Sequence, residues 1–373
     1  MDAGTVTLFL CGDVMLGRGV DQILPHPSDP ELREGYVRDA RDYVALAESE
    51  NGPVPRPAGY SWPWGEALAV LDEAAPAARV VNLETSVTGS RDFAPDKGVH
   101  YRMSPANLPC LAAVRPDVTV LANNHVLDFG RRGLAETLDT LDAAGLRTAG
   151  AGRDAAGSRD PAVVPLPADG AGGRLLVFSF GLPSSGIPYG WAAGERRSGV
   201  DLAVAPAAFG ASLAERVRAA RRPGDIVVAS VHWGGNWGYD VAPAEARLAH
   251  ALVDAGVDIV HGHSSHHPRP LEVYHGRLVL YGCGDLVDDY EGIAGHEEYR
   301  DDLRLLYLAT VERNTGRLAD VRMVPLQAHR MRLRHPSPED TAWLRDALDD
   351  ASRPYGTRID PAPGGALALR RAG

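Results

Sequence analysis

Six short and almost wholly apolar segments alternate along the chain with longer stretches whose apolar residues recur at helical spacing. Strands without a polar face must be covered on both sides, as in a sheet packed between layers of helices. The predicted strands are Val6–Cys11, Arg79–Leu83, Val118–Ala122, Leu175–Phe180, Ile226–Val231 and Val257–Val260. The predicted helices include Glu66–Ala75, Gly133–Ala144, Ala207–Ala220 and Ala244–Ala255. This alternation predicts an α/β layered fold.

Later in the chain, strand-like segments come in pairs around short turn sequences, which predicts antiparallel hairpins. One pair flanks His275-Gly276 and the other flanks Asn314-Thr315-Gly316. The paired segments are Leu271–Tyr274 with Leu278–Tyr281, and Leu303–Glu312 with Leu318–Leu326. We expect this C-terminal part to close one edge of the sheet.

No internal repeat and no clear linker divides the chain of 373 residues. We predict a single domain over residues 1–335, followed by a C-terminal helix and tail over 336–373 that packs on the domain or trails from it. Sequence rich in Pro, Gly and charged residues predicts loops over about 20–62 and 153–174, and the first is a candidate lid. The tail from Arg353 onward is low in order-promoting pattern.

The composition argues against several classes of function. A formal net charge of −11 is unfavourable for a general nucleic-acid or anionic-membrane binder, since both need a positive face. No stretch approaches the ~18 apolar residues that span a bilayer, and the N-terminal sequence lacks the pattern of a signal peptide. The sparse cysteines, Cys11, Cys110 and Cys283, predict no disulfide and no sulfur-based zinc site. We therefore expect a cytoplasmic protein with no membrane segment and no nucleic-acid partner.

The residues that follow the predicted strands indicate a functional site. Five strands run into carboxylate, amide or imidazole side chains, in Gly12-Asp13, Asn82-Leu83-Glu84, Asn123-Asn124-His125, His232-Trp233-Gly234 and His261-Gly262-His263. The carboxyl ends of parallel strands meet at one edge of a sheet, where ligands bind in open α/β folds. Asp, Glu, Asn and His without Cys suit a hard or borderline divalent ion. The sequence therefore predicts a site for one or two divalent metal ions, with Mn, Fe, Zn and Mg as the candidates.

Five motifs carry a resemblance to a known family: GDVMLGR, NLETSVT, LANNHVLDFG, VHWGGNW and HGHSSHHPRPLEVYHGRLVLYGCGD. Their order and spacing resemble those of CapA-like proteins, which are named for bacterial poly-γ-glutamate capsule synthesis and resemble the calcineurin-like metallophosphoesterase superfamily. The resemblance runs from about residue 5 to about residue 335. It implies a four-layer α/β/β/α sandwich of the metallophosphoesterase type, with a dinuclear metal site between two sheets.

The resemblance also implies roles for individual residues. The metal ligands that it implies are Asp13, Glu84, Asn124, His232, His261, His263 and His266. Among them Glu84 occupies the position of a bridging aspartate, and His125 matches the catalytic histidine. Three features depart from the superfamily pattern: Met15 replaces a histidine, Glu84 replaces an aspartate, and the last motif reads HGHSSHH. These departures bear on whether two ions bind and on phosphoesterase activity.

Three other side chains have two interpretations each. Arg18 is either a solvated loop residue or, as we predict, a bidentate contact for an anionic substrate group. Asp128 either orients the His125 imidazole or caps the helix that begins near Gly130. Asp285 either supports the ligands or forms a turn. We predict that His125 is the general acid, because Asp128 can hydrogen-bond its far nitrogen and raise its pKa.

Three functions fit these residues. The favoured one is metal-dependent hydrolysis, in which metal-activated water attacks a small anionic substrate such as a phosphate ester. The second is hydrolysis, transfer or cyclisation at an amide or γ-glutamyl bond, in polyglutamate or specialised metabolism, with the same metal. The third is a non-catalytic accessory protein of poly-γ-glutamate synthesis that binds the polymer or a membrane synthase. The net charge of −11 weighs against binding an acidic polymer unless a basic pocket exists.

Overall fold

The computed structural model describes residues 4–95, 97–167 and 173–371. Its α-helices are α1 Arg18–Ile23, α2 Arg41–Asn51, α3 Ala67–Ala74, α4 Leu108–Ala112, α5 Gly130–Ala143, α6 Ala155–Arg159, α7 Pro206–Ala220, α8 Pro243–Asp254 and α9 Pro338–Ser352. Its first ten strands are β1 Thr5–Val14, β2 Ala78–Leu83, β3 Ser86–Val87, β4 Arg102–Met103, β5 Val118–Val120, β6 Arg147–Ala149, β7 Ala151–Gly152, β8 Ala162–Leu166, β9 Gly173–Gly181 and β10 Gly199–Val200. The remaining strands are β11 Ile226–His232, β12 Ile259–His263, β13 Leu271–Tyr274, β14 Arg277–Leu280, β15 Asp285–Val287, β16 Leu303–Glu312, β17 Leu318–Ala328, β18 Leu333–Arg334, β19 Thr357–Pro361 and β20 Leu367–Arg371.

Two large sheets form the centre of the molecule. The ten-stranded sheet has the order β19-β20-β17-β16-β1-β2-β5-β6, with β15 paired to β1 and β18 paired to β17. Its strands β1, β2, β5 and β6 are parallel, and β16 joins them antiparallel to β1. The six-stranded sheet has the order β13-β14-β12-β11-β9-β8, with β14, β12, β11 and β9 parallel. The six strands predicted from apolar sequence correspond to β1, β2, β5, β9, β11 and β12, whereas β6 was not predicted and β14 was predicted only as part of a hairpin.

Side-chain alternation along each central strand separates three apolar cores. In β1, Leu8 and Leu10 face the six-stranded sheet and pack against residues such as Val228 of β11. Phe9 and Cys11 point the other way, into a core shared with α3, α4 and α5. The far side of the six-stranded sheet packs against α7 and α8 in a third core. Since successive strand residues face opposite sides, each sheet is covered on both faces, and the four-layer α/β/β/α arrangement is confirmed.

Both predicted hairpins are confirmed. β13 and β14 pair antiparallel around His275 and Gly276, whose φ angles of 47° and 81° are the two positive values that a tight hairpin turn requires. β16 and β17 pair antiparallel over nearly their whole length. β13 forms one edge of the six-stranded sheet, whereas β16 and β17 lie inside the ten-stranded sheet, between β20 and β1.

Three predictions of irregular structure were wrong. The tail after Arg353 forms the antiparallel strands β19 and β20, and β20 pairs with β17. Ile359 and Leu367 are buried in the core between the sheets, so the tail is ordered by its contacts with the rest of the fold. The segment over 20–62 contains α2, whose Val44 and Ala47 are buried. The predicted excursion over 153–174 contains α6 and β8, and its residues 168–172 lie outside the described part of the chain.

No helix of the described residues combines the length and the apolar character needed to cross a bilayer. The three cysteines are all buried and unpaired, which agrees with the prediction of no disulfide.

Candidate metal centre

The candidate site lies where strands of both sheets end side by side. Asp13 of β1 is in register with Asn82 of β2 and with Asp285 of β15. In the six-stranded sheet, His232 of β11 is paired with His263 of β12. All five side chains are buried. The polar residues that follow these strands are far apart in the sequence but lie close together in the structure.

A glycine allows β1 and β15 to come together at this point. A Cβ added to Gly12 would lie 1.8 Å from the carbonyl oxygen of Gly284, and that oxygen accepts a 3.1 Å hydrogen bond from the backbone N–H of Asp13. Only a residue without a side chain permits this approach. Because of this contact, the Asp13 and Asp285 carboxylates lie close together.

Two groups of ligand-type side chains share one residue. Asp13, His232 and His263 form the first, which we name the imidazole group, and Asp13, His266 and Asp285 form the second, the carboxylate group. Within each group one ligand atom per residue lies within 4.8 Å of the others. The residue common to both is Asp13, whereas the family resemblance implied Glu84 as the bridging carboxylate. The arrangement suits two ions that share the Asp13 carboxylate.

Hydrogen bonds hold the Asp13 carboxylate from two sides. Asn82 Nδ2 donates to Asp13 Oδ1 at 2.6 Å, and the backbone N–H of Ser264 donates to Asp13 Oδ2 at 3.0 Å. Asn82 is held in turn by Asn123, whose Nδ2 donates to Asn82 Oδ1 at 3.1 Å. These contacts fix the orientation of Asp13, as outer partners of metal-ligating carboxylates do.

A chain of hydrogen bonds sets the tautomer of His263. The Cys11 carbonyl oxygen can only accept, so His261 Nε2 donates to it at 2.7 Å and the neutral ring accepts at Nδ1 from the Ser230 hydroxyl at 3.1 Å. Ser230 Oγ then accepts from His263 Nε2 at 2.9 Å. This leaves the lone pair of His263 Nδ1, which lies 3.8 Å from Asp13 Oδ1. His263 therefore presents an acceptor nitrogen to the imidazole group, in which His232 Nδ1 lies 2.8 Å from it.

His261 differs from the ligand role that we predicted for it. Both of its ring nitrogens are used in hydrogen bonds to Cys11 and Ser230, and it belongs to neither ligand group. In this arrangement it supports a ligand through Ser230. Sequence position alone did not distinguish the two histidines, because His261 and His263 lie two residues apart on the same face of β12.

Glu84 and Asn124 lie at the edge of the imidazole group. Glu84 Oε1 is 3.8 Å from the Nε2 atoms of both His232 and His125, and Glu84 Oε2 is buried without a protein hydrogen-bond donor. Asn124 Oδ1 is 2.9 Å from His232 Nε2. A buried carboxylate oxygen without a donor is costly, and a cation would satisfy it. The oxygen and nitrogen atoms in this part of the site thus fit a divalent ion.

The charge balance of the site also fits a cation. Burial, followed by the neighbouring Asp285 charge, raises the pKa of Asp13 to about 7, and burial raises the pKa of Asp285 in the same direction. Burial and the adjacent Asp13 raise the pKa of Glu84 well above its usual range. Burial lowers the pKa of His232 and of His263, so both rings are neutral, the form that binds metals. Clustered anions beside neutral imidazoles are stabilised by a bound positive ion.

Asp285 belongs to the site although it was not among the predicted ligands. Its two carboxylate oxygens each lie 3.0 Å from His266 Nδ1. Arg304, which is 1% exposed, pairs with the nearby Asp288 at 2.5 Å and helps to lower the pKa of Asp285 against the effect of burial. Asp285 follows an apolar strand, as the predicted ligands do. It was not predicted as a ligand because its position also suited a turn.

His125 and Asp128 are in contact, as predicted, and Asp128 raises the pKa of His125, but burial reverses the net shift. Asp128 Oδ2 lies 2.6 Å from His125 Nδ1, and Asp128 also accepts from the backbone N–H of Tyr101 at 2.7 Å. Burial nevertheless lowers the pKa of His125 to about 4, because it outweighs the favourable charge of Asp128, and Lys97 lowers that pKa further. The protonated form that was predicted for His125 is therefore not favoured, although the effect of Asp128 itself has the predicted sign.

Lys97 is a site residue that the sequence reasoning missed. Its Nζ atom contacts Asp128 Oδ1 and the carbonyl oxygen of Asn124, and it lies 2.9 Å from His125 Nδ1. It follows the Pro- and Asp-rich sequence FAPD rather than an apolar strand, so the strand-end pattern did not select it.

Arg18 lies in a different environment from the one predicted. Its guanidinium group forms a bidentate contact with Asp289 and a 3.2 Å contact with Glu34, and it stacks 3.6 Å from the ring centroid of Tyr43. The residue is 4% exposed. Its donors are thus engaged by carboxylates of the protein itself, and this placement gives no support to a substrate-binding role.

A cavity of about 240 Å³ opens beside the ligands. The residues that line it are Glu84, Lys97, Gly98, Val99, Asn124, His125, Asn236, Ser264, His266 and Tyr290. Residues from both sheets and from the loop around Lys97 therefore surround one space. The larger cavity of about 410 Å³ lies next to it, on the far side of Tyr290, which lines both.

Comparison with known proteins assigns the chain to a family. The family described as bacterial capsule synthesis protein PGA_cap matches residues 7–290. The chain is 52% identical over 366 residues to a probable polyglutamine synthesis accessory protein of Mycobacterium tuberculosis, covering 98% of this chain and 96% of that one. It is 31% identical over 209 residues to the PGA biosynthesis protein CapA of Bacillus subtilis, covering 56% of this chain and 52% of that one. The protein belongs to the PGA_cap family, and the CapA-like resemblance is confirmed.

Two solved structures overlap much of the fold at low similarity. A novel phosphatase from Mycoplasma pneumoniae has a TM-score of 0.46 and 11% identity, covering 89% of this chain and 95% of that one. A 5'-nucleotidase precursor from Thermus thermophilus has a TM-score of 0.46 and 17% identity, covering 94% of this chain and 59% of that one. Neither activity follows for this protein from likeness at that level.

Proposed function

We propose that the protein is a metal-dependent hydrolase that acts on a small anionic substrate such as a phosphate ester. The observation that carries this proposal is the pair of buried ligand groups that share Asp13 and lie beside the cavity lined by His125. When bound, a divalent ion lowers the pKa of a bound water toward 7 and polarises an oxygen of the substrate. Its proposed ligands are Asp13, Glu84, Asn124, His232, His263, His266 and Asp285.

The residues around the cavity have separate tasks in this proposal. Glu84 and His266 border the space with ligand atoms, and the imidazole of His125 faces it through Nε2, 3.8 Å from Glu84 Oε1. His125 therefore interacts with the atom that leaves the substrate, while Asp128 fixes the ring from behind. The cavity volume of about 240 Å³ limits the reacting part of the substrate to a small group.

The charges around the cavity are the reason for proposing an anionic substrate. Lys97 is the only lysine or arginine among the residues that line the cavity, and its side chain is 14% exposed. Proposed ligands bring Asp13, Glu84 and Asp285 to the same place, and divalent ions would offset them. A phosphate group would bind both the ions and the Lys97 ammonium, since charge-assisted hydrogen bonds to phosphate are strong.

The first test is elemental analysis of protein purified without chelators, followed by reconstitution with Mn, Fe, Zn and Mg. Turnover of each form on phosphate esters and on γ-glutamyl amides then separates two chemistries. We expect metal to copurify and phosphate esters to be hydrolysed. Turnover of γ-glutamyl amides alone would overturn the phosphoester assignment in favour of amide chemistry by the same centre.

Two variants separate the role of His125 from that of the ligands. His125→Gln should keep its metal and slow turnover by roughly 10²–10⁴-fold, as loss of a proton-transferring side chain does. Glu84→Ala should lose metal together with activity. If His125→Gln loses metal as Glu84→Ala does, His125 is a ligand; if it keeps full activity, His125 has no part in the reaction.

A non-catalytic accessory role is the second candidate, and the names of the relatives favour it. The Mycobacterium tuberculosis relative is named a probable polyglutamine synthesis accessory protein. A protein that loads metal and binds poly-γ-glutamate, yet hydrolyses neither phosphate esters nor γ-glutamyl amides, would support this role over hydrolysis. A cytoplasmic location also stays a prediction, which cell fractionation would check.

A further inference from the structure

Arginines are concentrated at the end of the molecule opposite the metal centre, although the formal net charge of the chain is −11. Seven of them lie around the first residues of β9, β11 and β14. We name this set the arginine cluster: Arg174, Arg218, Arg221, Arg222, Arg277, Arg313 and Arg317. The metal centre lies at the carboxyl end of β11, whose seven residues separate the two places by roughly 20 Å. The cluster is therefore distinct from the candidate metal centre.

Part of the arginine cluster lines a groove of about 380 Å³. The arginines that line it are Arg218, Arg221, Arg222 and Arg313, and they come from the end of α7, the segment before β11 and the turn between β16 and β17. Asp225 is the only carboxylate among the described residues that line this groove. The walls of the groove are therefore positively charged.

The two carboxylates inside the arginine cluster are already paired. Arg174 donates from Nε and Nη2 to the two oxygens of Asp225, and the backbone N–H of Arg222 donates to the same carboxylate at 2.8 Å. Asp258 lies between Arg277 Nη1 at 2.8 Å and Arg221 Nη2 at 3.0 Å. Both aspartates are buried. They balance the arginines beside them and leave the other arginines of the groove uncompensated.

Arg218 and Arg222 are the groove residues whose charged groups have no protein partner. Both residues are exposed, and neither guanidinium forms a hydrogen bond or an ion pair with any residue that the structure describes. Arg218 is in the last turn of α7, where its charge is favourable beside the helix carbonyl groups, but its donors stay unused. Two guanidinium groups thus offer their donors at one groove.

The chemistry of the groove selects the kind of ligand. Guanidinium groups bind carboxylate and phosphate oxygens best, and the pairs inside the cluster are all with carboxylates. A membrane or a nucleic-acid duplex would extend past the groove over a chain of net charge −11, which repels it. A narrow and flexible chain keeps its charges within the groove, where screening over ~8 Å separates them from the acidic remainder.

We infer that the arginine cluster binds a flexible acidic chain that carries several carboxylates, with Arg218 and Arg222 as its principal contacts. Arg221 shapes the groove, because its own donors are used by Asp258 and by the Gly256 carbonyl oxygen. This site goes beyond the proposed hydrolysis and is independent of it, since none of the proposed metal ligands belongs to the cluster. It is the basic pocket that binding of an acidic polymer requires.

Binding is measured by fluorescence anisotropy with labelled decamers of glutamate, one α-linked as in a protein segment and one γ-linked. The protein is first dialysed against a chelator, so that no metal ion can bind the carboxylates. We expect at least one decamer to bind and its affinity to fall as salt is added, because exposed charges are screened. The decamer with the lower Kd identifies the linkage of the chain. An α-linked decamer of glutamine should not bind.

A double variant tests the two principal contacts. Arg218→Ala combined with Arg222→Ala should weaken binding by roughly tenfold or more, since hydrogen bonds to charged groups are lost. Arg132→Ala combined with Arg196→Ala is the matched control, because both residues are exposed, lie outside the cluster and have no partner among the described residues. The control should keep the affinity within about twofold. All four side chains are exposed, so the thermal transitions should stay unchanged.

Three results would overturn the site. They are no binding of either decamer, equal affinity in the Arg218 and Arg222 double variant, and tighter binding of a ten-unit polyphosphate, which would make phosphate the ligand. Metal content and turnover should be the same in this double variant as in the unmodified protein. If the unmodified protein hydrolyses nothing, the proposed function fails while the anisotropy result still stands.

Discussion

The two ligand groups share Asp13 but differ in charge and in what supports them. The imidazole group adds the neutral rings His232 and His263, which are held by the uncharged partners Asn124 and Ser230. The carboxylate group adds Asp285 and His266, and the charged Asp288 and Arg304 lie behind it. The supporting residues of the imidazole group are uncharged, whereas those of the carboxylate group are charged. In the proposed centre, an ion in the imidazole group would meet Asp13 with Glu84 at its edge, and an ion in the carboxylate group would meet Asp13 and Asp285.

The largest expected effect comes from the residue that both groups share. Asp13→Asn should abolish binding of both ions, since each group loses its common carboxylate. A four-ligand zinc site supplies ~10–16 kcal/mol, so one lost ligand costs roughly 10²–10³-fold in affinity. Elemental analysis after dialysis should find almost no metal, and turnover should vanish with it. Retention of both ions by Asp13→Asn would break the idea of a shared ligand.

A smaller effect should follow when only one group is altered. His232→Ala should lose the ion of the imidazole group, and Asp285→Asn should lose the ion of the carboxylate group, each with a drop of roughly 10²-fold or more in that affinity. Titration calorimetry with Mn²⁺ should report one site in each variant where the unmodified protein has two. If both variants lose both ions together, the groups are a single cooperative site.

The pH dependence should show which carboxylates each ion meets. Asp13 and Asp285 both have raised pKa values of about 7, so below that pH each is protonated and a metal must displace its proton. The carboxylate-group ion should therefore weaken as pH falls through 7, by about tenfold per carboxylate between roughly pH 8 and pH 6. The imidazole-group ion should weaken in the same direction, because burial also raises the pKa of Glu84 beside Asp13. An affinity of the carboxylate-group ion that stays constant between pH 8 and pH 6 would contradict the assignment of Asp13 and Asp285 as its ligands.

The smallest expected effect concerns the support of one ligand. Ser230→Ala removes the hydroxyl between His261 and His263, so His263 loses the contact that fixes its tautomer. Outer partners of metal-binding histidines contribute about 10–100-fold in affinity, and we expect the lower figure because the ring stays packed. The loss should affect the imidazole-group ion alone, as a selective change in one calorimetric binding step. Ser179→Ala, on the neighbouring strand, is a suitable control.

Sequence reasoning was most successful where local pattern decides structure. Short apolar strands form according to their own residues, and the polar residues just after them lie close together because parallel strands end at one edge. The hairpin around His275 and Gly276 could also be predicted from local sequence, since the residues of a two-residue turn determine its conformation. The tail beyond Arg353 shows the limit of that approach, because its strands gain their stability by pairing with β17.

Long-range register decided the roles that the sequence left open. His261 and His263 are equivalent in the strand pattern, and only the offset between β12 and β1 places one against the Cys11 carbonyl and the other against Asp13. Arg18 meets Asp289, 271 residues away, and this contact engages the group predicted for substrate. By itself the sequence determined which residue types reach the strand ends and hence the class of site. The tertiary structure decided which of them face the same point, since side-chain direction between two packed sheets depends on contacts that no local pattern contains.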